Sequence, residues 1–128
     1  MNDEKILTMK AKFYSKALWG KRYNKKVIIK DTGRALGYFA KWSQSVYEIQ
    51  ISSEIINVDY LPDNVLVHEL CHWWCFINKK PWMDHSKNFK AELKRISNYE
   101  NDIYNVDNRY QPPDGLLQLV REFDRRKK

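Results

Sequence analysis

The spacing of apolar residues along this 128-residue chain changes from helical to alternating and back to helical. In residues 3–18 the apolar side chains recur three and four positions apart, which predicts an amphipathic helix ending at Trp19-Gly20. Residues 27–51 are richer in β-branched and aromatic side chains and contain turn glycines, as is typical of short strands. We therefore expect a small antiparallel sheet of about three strands. The predicted strands are residues 27–29, 38–42 and 46–51.

Two prolines bracket a second predicted helix. Pro62 opens the helix, and Asp63 is its predicted N-cap, because a short carboxylate side chain can accept a hydrogen bond from the first turn. The helix is expected to run to about Asn78, because Pro81 disfavours the helical conformation of the residue before it.

Two further helices are expected in the last third of the chain. One begins near Ser86, and the other spans Asp114 to Arg125. Residues 98–113, which are rich in Asn, Asp and Tyr, are expected to be irregular. The fold class predicted by this order of elements is α+β. The residues expected to face the core are Phe89, Leu93 and Ile96 in the first of these helices and Leu116, Val120 and Phe123 in the second.

Composition places the chain among ordinary globular domains. It is 43% hydrophobic and 14% aromatic, and its length suits one domain, so we predict a single domain over residues 1–128. No apolar run approaches the ~18–20 residues that span a bilayer, and the N-terminus does not have the pattern of a signal peptide. Cys71 and Cys75 lie in one predicted helix and cannot link distant segments, so a reducing, cytoplasmic location is the expectation.

The net charge of +7 is concentrated near the N-terminus. The segment from Lys5 to Arg34 contains ten Lys and Arg residues and one acid, a local balance of +9. Basic side chains release counterions from phosphates, and aromatic rings stack on bases. The segment from Lys5 to Arg34, called the basic segment below, is therefore a candidate site for binding nucleic acid. The alternative is a solvated surface. The basic residues Lys21, Arg22, Lys25 and Lys26 lie among the aromatic residues Phe13, Tyr14, Trp19 and Tyr23.

The second helix contains the pattern H-E-x-x-H, as His68-Glu69-Leu70-Cys71-His72. At about 100° per residue the imidazoles of His68 and His72 project roughly 40° apart and one turn along, so both can reach one metal ion. Glu69 lies about 60° further round, where it can take a proton from a water that zinc activates, without being a ligand. The opposite side of the helix is an apolar back, formed by Leu66, Leu70, Trp73, Trp74 and Ile77.

The candidates for a third metal ligand all follow this helix. All three histidines of the chain fall between positions 68 and 85, and His85 stands where the next helix is expected to begin. The positive end of that helix dipole disfavours the imidazolium form and keeps the ring neutral for ligation. Glu92 and Glu100 are the carboxylate alternatives, and Asp84 is a candidate to fix a histidine tautomer.

Residues 68–90, HELCH…WMDHSKNFK, resemble the SprT-like family of zinc proteases, which includes the Spartan DNA–protein crosslink proteases. The family signature is HExxH followed by a third histidine in an H-G-x-x-F-like segment, which here is His85-Ser86-Lys87-Asn88-Phe89. Residues 33–38 and 49–52 are similar to the family's glycine-containing hairpin and I-x-L-S-like strand, so the resemblance covers about residues 20–97. It implies a minimal α+β zinc metallopeptidase with a zincin-type helix, metal ligands His68, His72 and His85, and the general base Glu69.

Departures from this pattern leave a second hypothesis open. Ser86 stands where the family usually has Gly, and the chain has no CxxC pairs for the zinc ribbon of many members, so DNA-linked substrates would depend on the basic segment. The alternative function is a basic nucleic-acid-binding domain with a structural zinc site, in which Cys75 is the fourth protein ligand. Cys75 lies about 20° from His68 in helical projection. Metzincins are excluded by Cys75 and Asn78, and the ImmA/IrrE type of peptidase usually takes a later acidic residue in place of His85.

Overall fold

Four helices and a three-stranded sheet make up the part of the chain that the computed structural model describes, which is residues 2–83, 86–97 and 114–127. The α+β fold class is therefore confirmed. The predicted irregular segment 98–113, Asp84 and His85 lie outside the described residues. The elements are α1 (Asp3–Trp19), β1 (Val27–Lys30), β2 (Gly37–Lys41), β3 (Tyr47–Ser52), a 3-10 turn (Ser53–Ile55), α2 (Leu61–Ile77), α3 (Lys87–Ser97) and α4 (Asp114–Lys127).

The sheet has the strand order β1-β3-β2 and is mixed, not wholly antiparallel as expected. Strands β2 and β3 form the predicted antiparallel pair, whereas β1 lies parallel to β3, with Val27 opposite Ile49. The central position suits β3, because its Ile49 and Ile51 are fully buried. Alternation along a strand indicates which side chains face the core but not which strand lies beside it, so the sequence pattern could not identify this pairing.

Helix α2 occupies the centre of the molecule and is buried along nearly its whole length, with only Trp74 and Ile77 partly exposed. Contacts from α1, β2, β3, α3 and α4 surround it. The apolar back predicted for this helix is therefore part of a helix that packs on several sides. Close packing on this scale fixes the directions of the buried side chains on α2.

The start of α2 differs from the prediction. The N-cap is Tyr60, whose φ of 66° is left-handed, and Asp63 lies inside the first turn. The prediction of Asp63 as N-cap is wrong because its carboxylate is used elsewhere. It accepts a hydrogen bond from the Tyr14 hydroxyl at 2.7 Å and pairs with the Lys10 ammonium at 2.9 Å. These two contacts connect α1 to the beginning of α2.

Helices α1 and α4 pack through aromatic rings. The Phe123 ring lies 5.8 Å from that of Phe13 and 6.3 Å from that of Tyr14, centroid to centroid. The inward stripe predicted for the last helix is present, since Leu116, Val120 and Phe123 are all buried. Among the described residues, no helix combines the length and apolar character needed to cross a bilayer.

Candidate metal centre

Helix α2 presents three polar side chains from two successive turns. His68, Glu69 and His72 are all buried, with exposed fractions of 8%, 3% and 7%. The two imidazole rings lie side by side, with centroids 5.1 Å apart and planes inclined by 72°. The structure therefore brings together the two histidines that the sequence placed one helical turn apart.

The backbone of residue 82 sets the orientation of the His72 ring. The Nδ1 atom of His72 is hydrogen-bonded to the backbone carbonyl oxygen of Trp82. Because a carbonyl can only accept, Nδ1 carries the proton and Nε2 carries the lone pair. The Nε2 atom lies 4.0 Å from Oε1 of Glu69. The imidazole nitrogen Nε2 and a carboxylate oxygen thus lie near each other on one side of the helix.

Phe89 holds both imidazoles from the α3 side. Its ring stacks on that of His72, with centroids 3.9 Å apart and planes 9° apart, and meets His68 edge-on at 5.1 Å. Phe89 is almost fully buried, and its backbone N–H donates to the Ser86 hydroxyl at the start of α3. The sequence placed Phe89 on an inward stripe but did not predict this contact, because periodicity gives a face and not a neighbour. The sequence feature that could have indicated this contact is the segment His85-Ser86-Lys87-Asn88-Phe89, which resembles the SprT-like signature and ends at Phe89.

Gly37 lets the edge strand β2 pass close to Glu69. A Cβ atom at this position would lie 2.6 Å from Cγ1 of Val65, 2.8 Å from the Gln50 carbonyl oxygen and 3.5 Å from Oε2 of Glu69. The first two distances are too short for a side chain, so glycine is required by the close approach of strand to helix. Sequence reasoning assigned Gly37 to a turn and missed this role.

A cleft of about 390 Å³ opens between β2 and the segment that follows α2. Glu69 and His72 lie in its wall, so the polar face of the helix is accessible from solvent through this opening. The described residues that line the cleft are Ala35, Gly37, Tyr38, Phe39, Glu69, His72, Trp82 and Met83.

The His pair fits a tetrahedral zinc ion. Two imidazoles bound through nitrogen at about 2.1 Å would have ring centroids roughly 5 Å apart, and the observed separation is 5.1 Å. Neutral imidazole is also a donor that zinc prefers. Among residues 2–83, 86–97 and 114–127, however, no group of three or more His, Cys, Asp or Glu side chains is arranged to hold a metal. The third ligand predicted from sequence, His85, lies outside those residues, as do Asp84 and Glu100.

Glu92, one of the carboxylate alternatives, is occupied in the contact between α1 and α3. It accepts a hydrogen bond from the indole Nε1 of Trp19 at 2.7 Å and hydrogen bonds from Arg95. Burial opposes ionisation of Glu92, but the hydrogen bonds from Arg95 and Trp19 outweigh it and lower the pKa of the carboxyl group. Glu92 therefore does not join the two histidines as a third metal ligand in the described part of the chain.

Cys75, the fourth ligand in the alternative of a structural zinc site, is a free thiol next to the free thiol of Cys71. A hydrogen bond from the Cys71 thiol lowers the pKa of Cys75, and the same bond, together with burial, raises the pKa of Cys71. Cys75 borders a separate cavity next to Trp74 and Glu92, not the cleft at Glu69. The described residues therefore give no support to a zinc site closed by cysteine.

Several aromatic residues of the basic segment belong to the core. Tyr14 and Tyr23 are fully buried, and the Tyr23 hydroxyl donates to the Lys26 carbonyl at 2.9 Å. Trp19 stacks on Trp74 with ring centroids 5.8 Å apart. These three rings serve packing, and they are not positioned to stack on the bases of a nucleic acid.

The comparison with protein families gives a match to the SprT-like family over residues 7–109. The match extends from α1 to beyond α3 and includes the H-E-x-x-H helix, the cleft and Phe89. Neither the curated proteins nor the solved structures that were compared with the chain gave a match.

Proposed function

The chain belongs to the SprT-like family, whose domains are metalloprotease-like, and we propose that it is a zinc-dependent metallopeptidase that hydrolyses peptide bonds. One observation carries the proposal. The imidazoles of His68 and His72 lie 5.1 Å apart, and Glu69 Oε1 lies 4.0 Å from His72 Nε2, at the wall of an open cleft. Imidazole donors with a carboxylate beside them are the groups that metal-assisted hydrolysis of an amide uses.

Three residues are proposed to hold the metal: His68, His72 and His85. The hydrogen bond to the Trp82 carbonyl prepares His72 for this role, because it leaves the Nε2 lone pair directed away from that carbonyl. The chemistry that zinc supplies when bound is polarisation of the scissile carbonyl and acidification of a water molecule. His85 enters the proposal from the family resemblance and from its position ahead of α3.

Glu69 is proposed to move the proton. Its carboxylate takes a proton from the attacking water while the water oxygen forms a bond to the carbonyl carbon. As the C–N bond breaks, the Glu69 carboxyl group gives that proton to the leaving amine nitrogen, so that the carboxylate is restored. The Glu69 carboxylate is only 3% exposed, so it contacts solvent mainly through the cleft.

The edge strand β2 is the proposed binding site for the substrate main chain. Within the described sheet, β2 has β3 as its neighbour on one side only. An extended peptide can add to such an edge through backbone hydrogen bonds. Because Gly37 brings β2 within reach of Glu69, a peptide on that edge would pass the base.

The test compares wild type with Glu69→Gln for zinc content and for cleavage of an unstructured protein substrate. The amide cannot accept the proton, so we expect full zinc occupancy and a rate lower by several orders of magnitude, on the order of 10³-fold. Glu54→Gln is the matched control, because Glu54 is exposed on the 3-10 turn away from the cleft. Equal cleavage by Glu69→Gln and wild type would show that Glu69 is not the base.

A further inference from the structure

The back of the cleft is a cluster of aromatic rings. Phe39 of β2 meets Trp82 edge-on, with ring centroids 5.7 Å apart, and both rings contact Phe76 of α2. Phe39 and Phe76 are buried, and Trp82 is partly buried. These rings hold one another in place, so the cleft has a firm apolar wall beside His72 and Glu69.

The mouth of the cleft exposes large apolar side chains. Tyr38 is 47% exposed and Met83 is 50% exposed, and both line the opening. Trp42 and Val46, at the hairpin that continues β2, are also exposed. Single exposed apolar residues are ordinary on protein surfaces. Here, however, four of the seven exposed large apolar residues in the described part of the chain lie on β2, on its hairpin or at residue 83.

The residues that line the cleft differ in charge from the protein as a whole. The chain has a net charge of +7, yet the described residues that line the cleft include no Lys or Arg. Glu69 would repel an acidic side chain placed next to it. Ala35 and Gly37 contribute little or no side chain, so the space in front of Phe39, Trp82 and Met83 stays open.

We infer that this enzyme selects extended substrates with a large apolar residue, aromatic or aliphatic, next to the scissile bond, and that Phe39, Trp82 and Met83 form the pocket for that side chain. The inference rests on the proposed function. Pockets that recognise apolar groups are concave and lined by hydrophobic and aromatic side chains with a few polar groups beside them, as here. Unfolded or extended segments expose such residues, whereas folded proteins bury them.

The first test measures kcat/KM for a set of quenched peptides that differ only at one position next to the cleaved bond. With Phe or Leu at that position, we expect kcat/KM at least about tenfold above that of the Ala peptide, since a few buried methylene groups discriminate by that amount. The Asp peptide should be the poorest substrate. Equal values across the series would overturn the inference and leave the proposed function intact.

The second test moves the preference by substitution. Met83→Asp should lower kcat/KM for the Phe peptide. The ratio of kcat/KM for the Lys peptide to kcat/KM for the Phe peptide should rise by about tenfold. Tyr38→Ser is a second variant and should weaken the Phe preference without favouring Lys. The matched control is Val58→Asp, because Val58 is an apolar residue that is 37% exposed and does not line the cleft. An unchanged order of peptides in both cleft variants would contradict the assignment of the pocket.

A binding measurement separates this inference from the proposed function. Fluorescence anisotropy of labelled peptides with the Glu69→Gln protein reports occupancy of the pocket without turnover. We expect the Kd values to follow the order Phe, Ala, Asp, from tightest to weakest. If the wild type hydrolysed none of the peptides but this order held, the pocket would stand and the proposed function would fail. If turnover occurred but the Kd values were equal, the pocket would fail.

Discussion

The His72 ring is held at three points, and each contact has a different physical role. The Trp82 carbonyl fixes the tautomer, Phe89 fixes the plane of the ring, and Glu69 lies within 4.0 Å of Nε2. A ring held in this way needs little reorganisation to bind a metal. The arrangement also predicts that substitution of Phe89 weakens the proposed metal binding, although the phenyl ring is not a ligand.

We therefore predict graded losses of zinc from two variants. His72→Ala removes a proposed ligand, so most of the zinc should be lost on purification. Phe89→Leu keeps both imidazoles but removes the stacked ring, and the zinc affinity should fall by about 10–100-fold, as for other groups that orient ligands. Zinc content by plasma mass spectrometry and competition with a chelator measure both effects. Full occupancy in His72→Ala would contradict the ligand assignment.

Gly37 gives a second prediction. A methyl group at this position would overlap Val65 and the Gln50 carbonyl, so Gly37→Ala should lower the free energy of unfolding by about 1–3 kcal/mol. Because relief of the clash moves β2 away from Glu69, the activity per folded molecule should also fall. Urea denaturation and kcat/KM measure the two effects.

Gly20→Ala is the control for Gly37. Gly20 has a φ of 74°, and a methyl group added there would have no neighbouring atom within 4 Å, so Ala is strained by about 1–2 kcal/mol but meets nothing. We expect lower stability with unchanged kcat/KM. If Gly37→Ala also kept full activity, the close approach of β2 would not matter for catalysis.

The sequence correctly placed His68, Glu69 and His72 close together on α2, because a helical turn is a local geometry. His68 and His72 needed only the helix period to be placed together, and Glu69 followed from the same period. Phe89 and Gly37 were not predicted as site residues. Their roles depend on how α3 and β2 approach α2, and no local pattern encodes that distance.

At the scale of elements, α1 is tied to the start of α2 by a buried polar contact. Asp63 accepts the hydroxyl hydrogen of Tyr14 at 2.7 Å and pairs with Lys10 at 2.9 Å, where the side chains of Lys10 and Asp63 are 16% and 8% exposed. A partly buried carboxylate needs such partners to offset its lost hydration. The contact therefore helps to fix the helix that carries the candidate metal ligands.

The corresponding prediction concerns Tyr14→Phe. Removal of the hydroxyl takes one hydrogen bond from a charged carboxylate, so the free energy of unfolding should fall by about 1.5–3 kcal/mol. Tyr60→Phe is the control, because Tyr60 is 40% exposed and should change stability by less than about 0.5 kcal/mol. Denaturant titrations of both variants measure the difference. Equal stability of Tyr14→Phe and wild type would show that the contact is not stabilising.

The order and type of the described elements were predictable, but the pairing of the strands was not. Helical spacing identified α1 and α4 to within one or two residues at their ends. The parallel pairing of β1 with β3 depends on where the chain crosses between strands, which alternation does not report. Similarly, the local sequence predicted Asp63 as an N-cap. Its actual partners, Tyr14 and Lys10, are distant in sequence, so no local pattern indicated that its carboxylate is used elsewhere.

At the scale of the whole molecule, the fold extends the basic segment with residues from the other end of the chain. Arg126 of α4 lies over the Phe13 ring, with its guanidinium carbon 5.6 Å from the centroid. Lys12, Lys16 and Arg22 line the same groove, which has a volume of about 520 Å³. The other described residues that line this groove are the acidic Glu122 and the apolar Met9, Phe13, Ala17 and Phe123. Positive charge from both ends of the chain therefore collects on one surface.

This charge distribution leads to the proposal that the basic segment binds nucleic acid weakly and without sequence preference. The proposal rests on phosphate contacts alone, because Tyr14, Trp19 and Tyr23 are packed in the core or against Trp74. Such binding is driven by counterion release, so the logarithm of affinity should fall linearly with the logarithm of salt concentration.

Simultaneous replacement of Lys21, Arg22, Lys25 and Lys26 by Gln should flatten that dependence. Four lost contacts would reduce the slope for single-stranded DNA by up to about three units, while zinc content stays the same.

The control replaces the exposed residues Lys79, Lys80, Lys87 and Lys90 by Gln, because it removes the same charge from outside the basic segment. Since counterion release depends on charges that contact phosphate and not on net charge alone, the control should keep most of the wild-type slope. Anisotropy titrations between about 20 and 200 mM salt measure the slopes, a range over which screening changes from weak to strong. Two results would count against the proposal: no binding at the lowest salt concentration, or equal slopes for the two four-site variants.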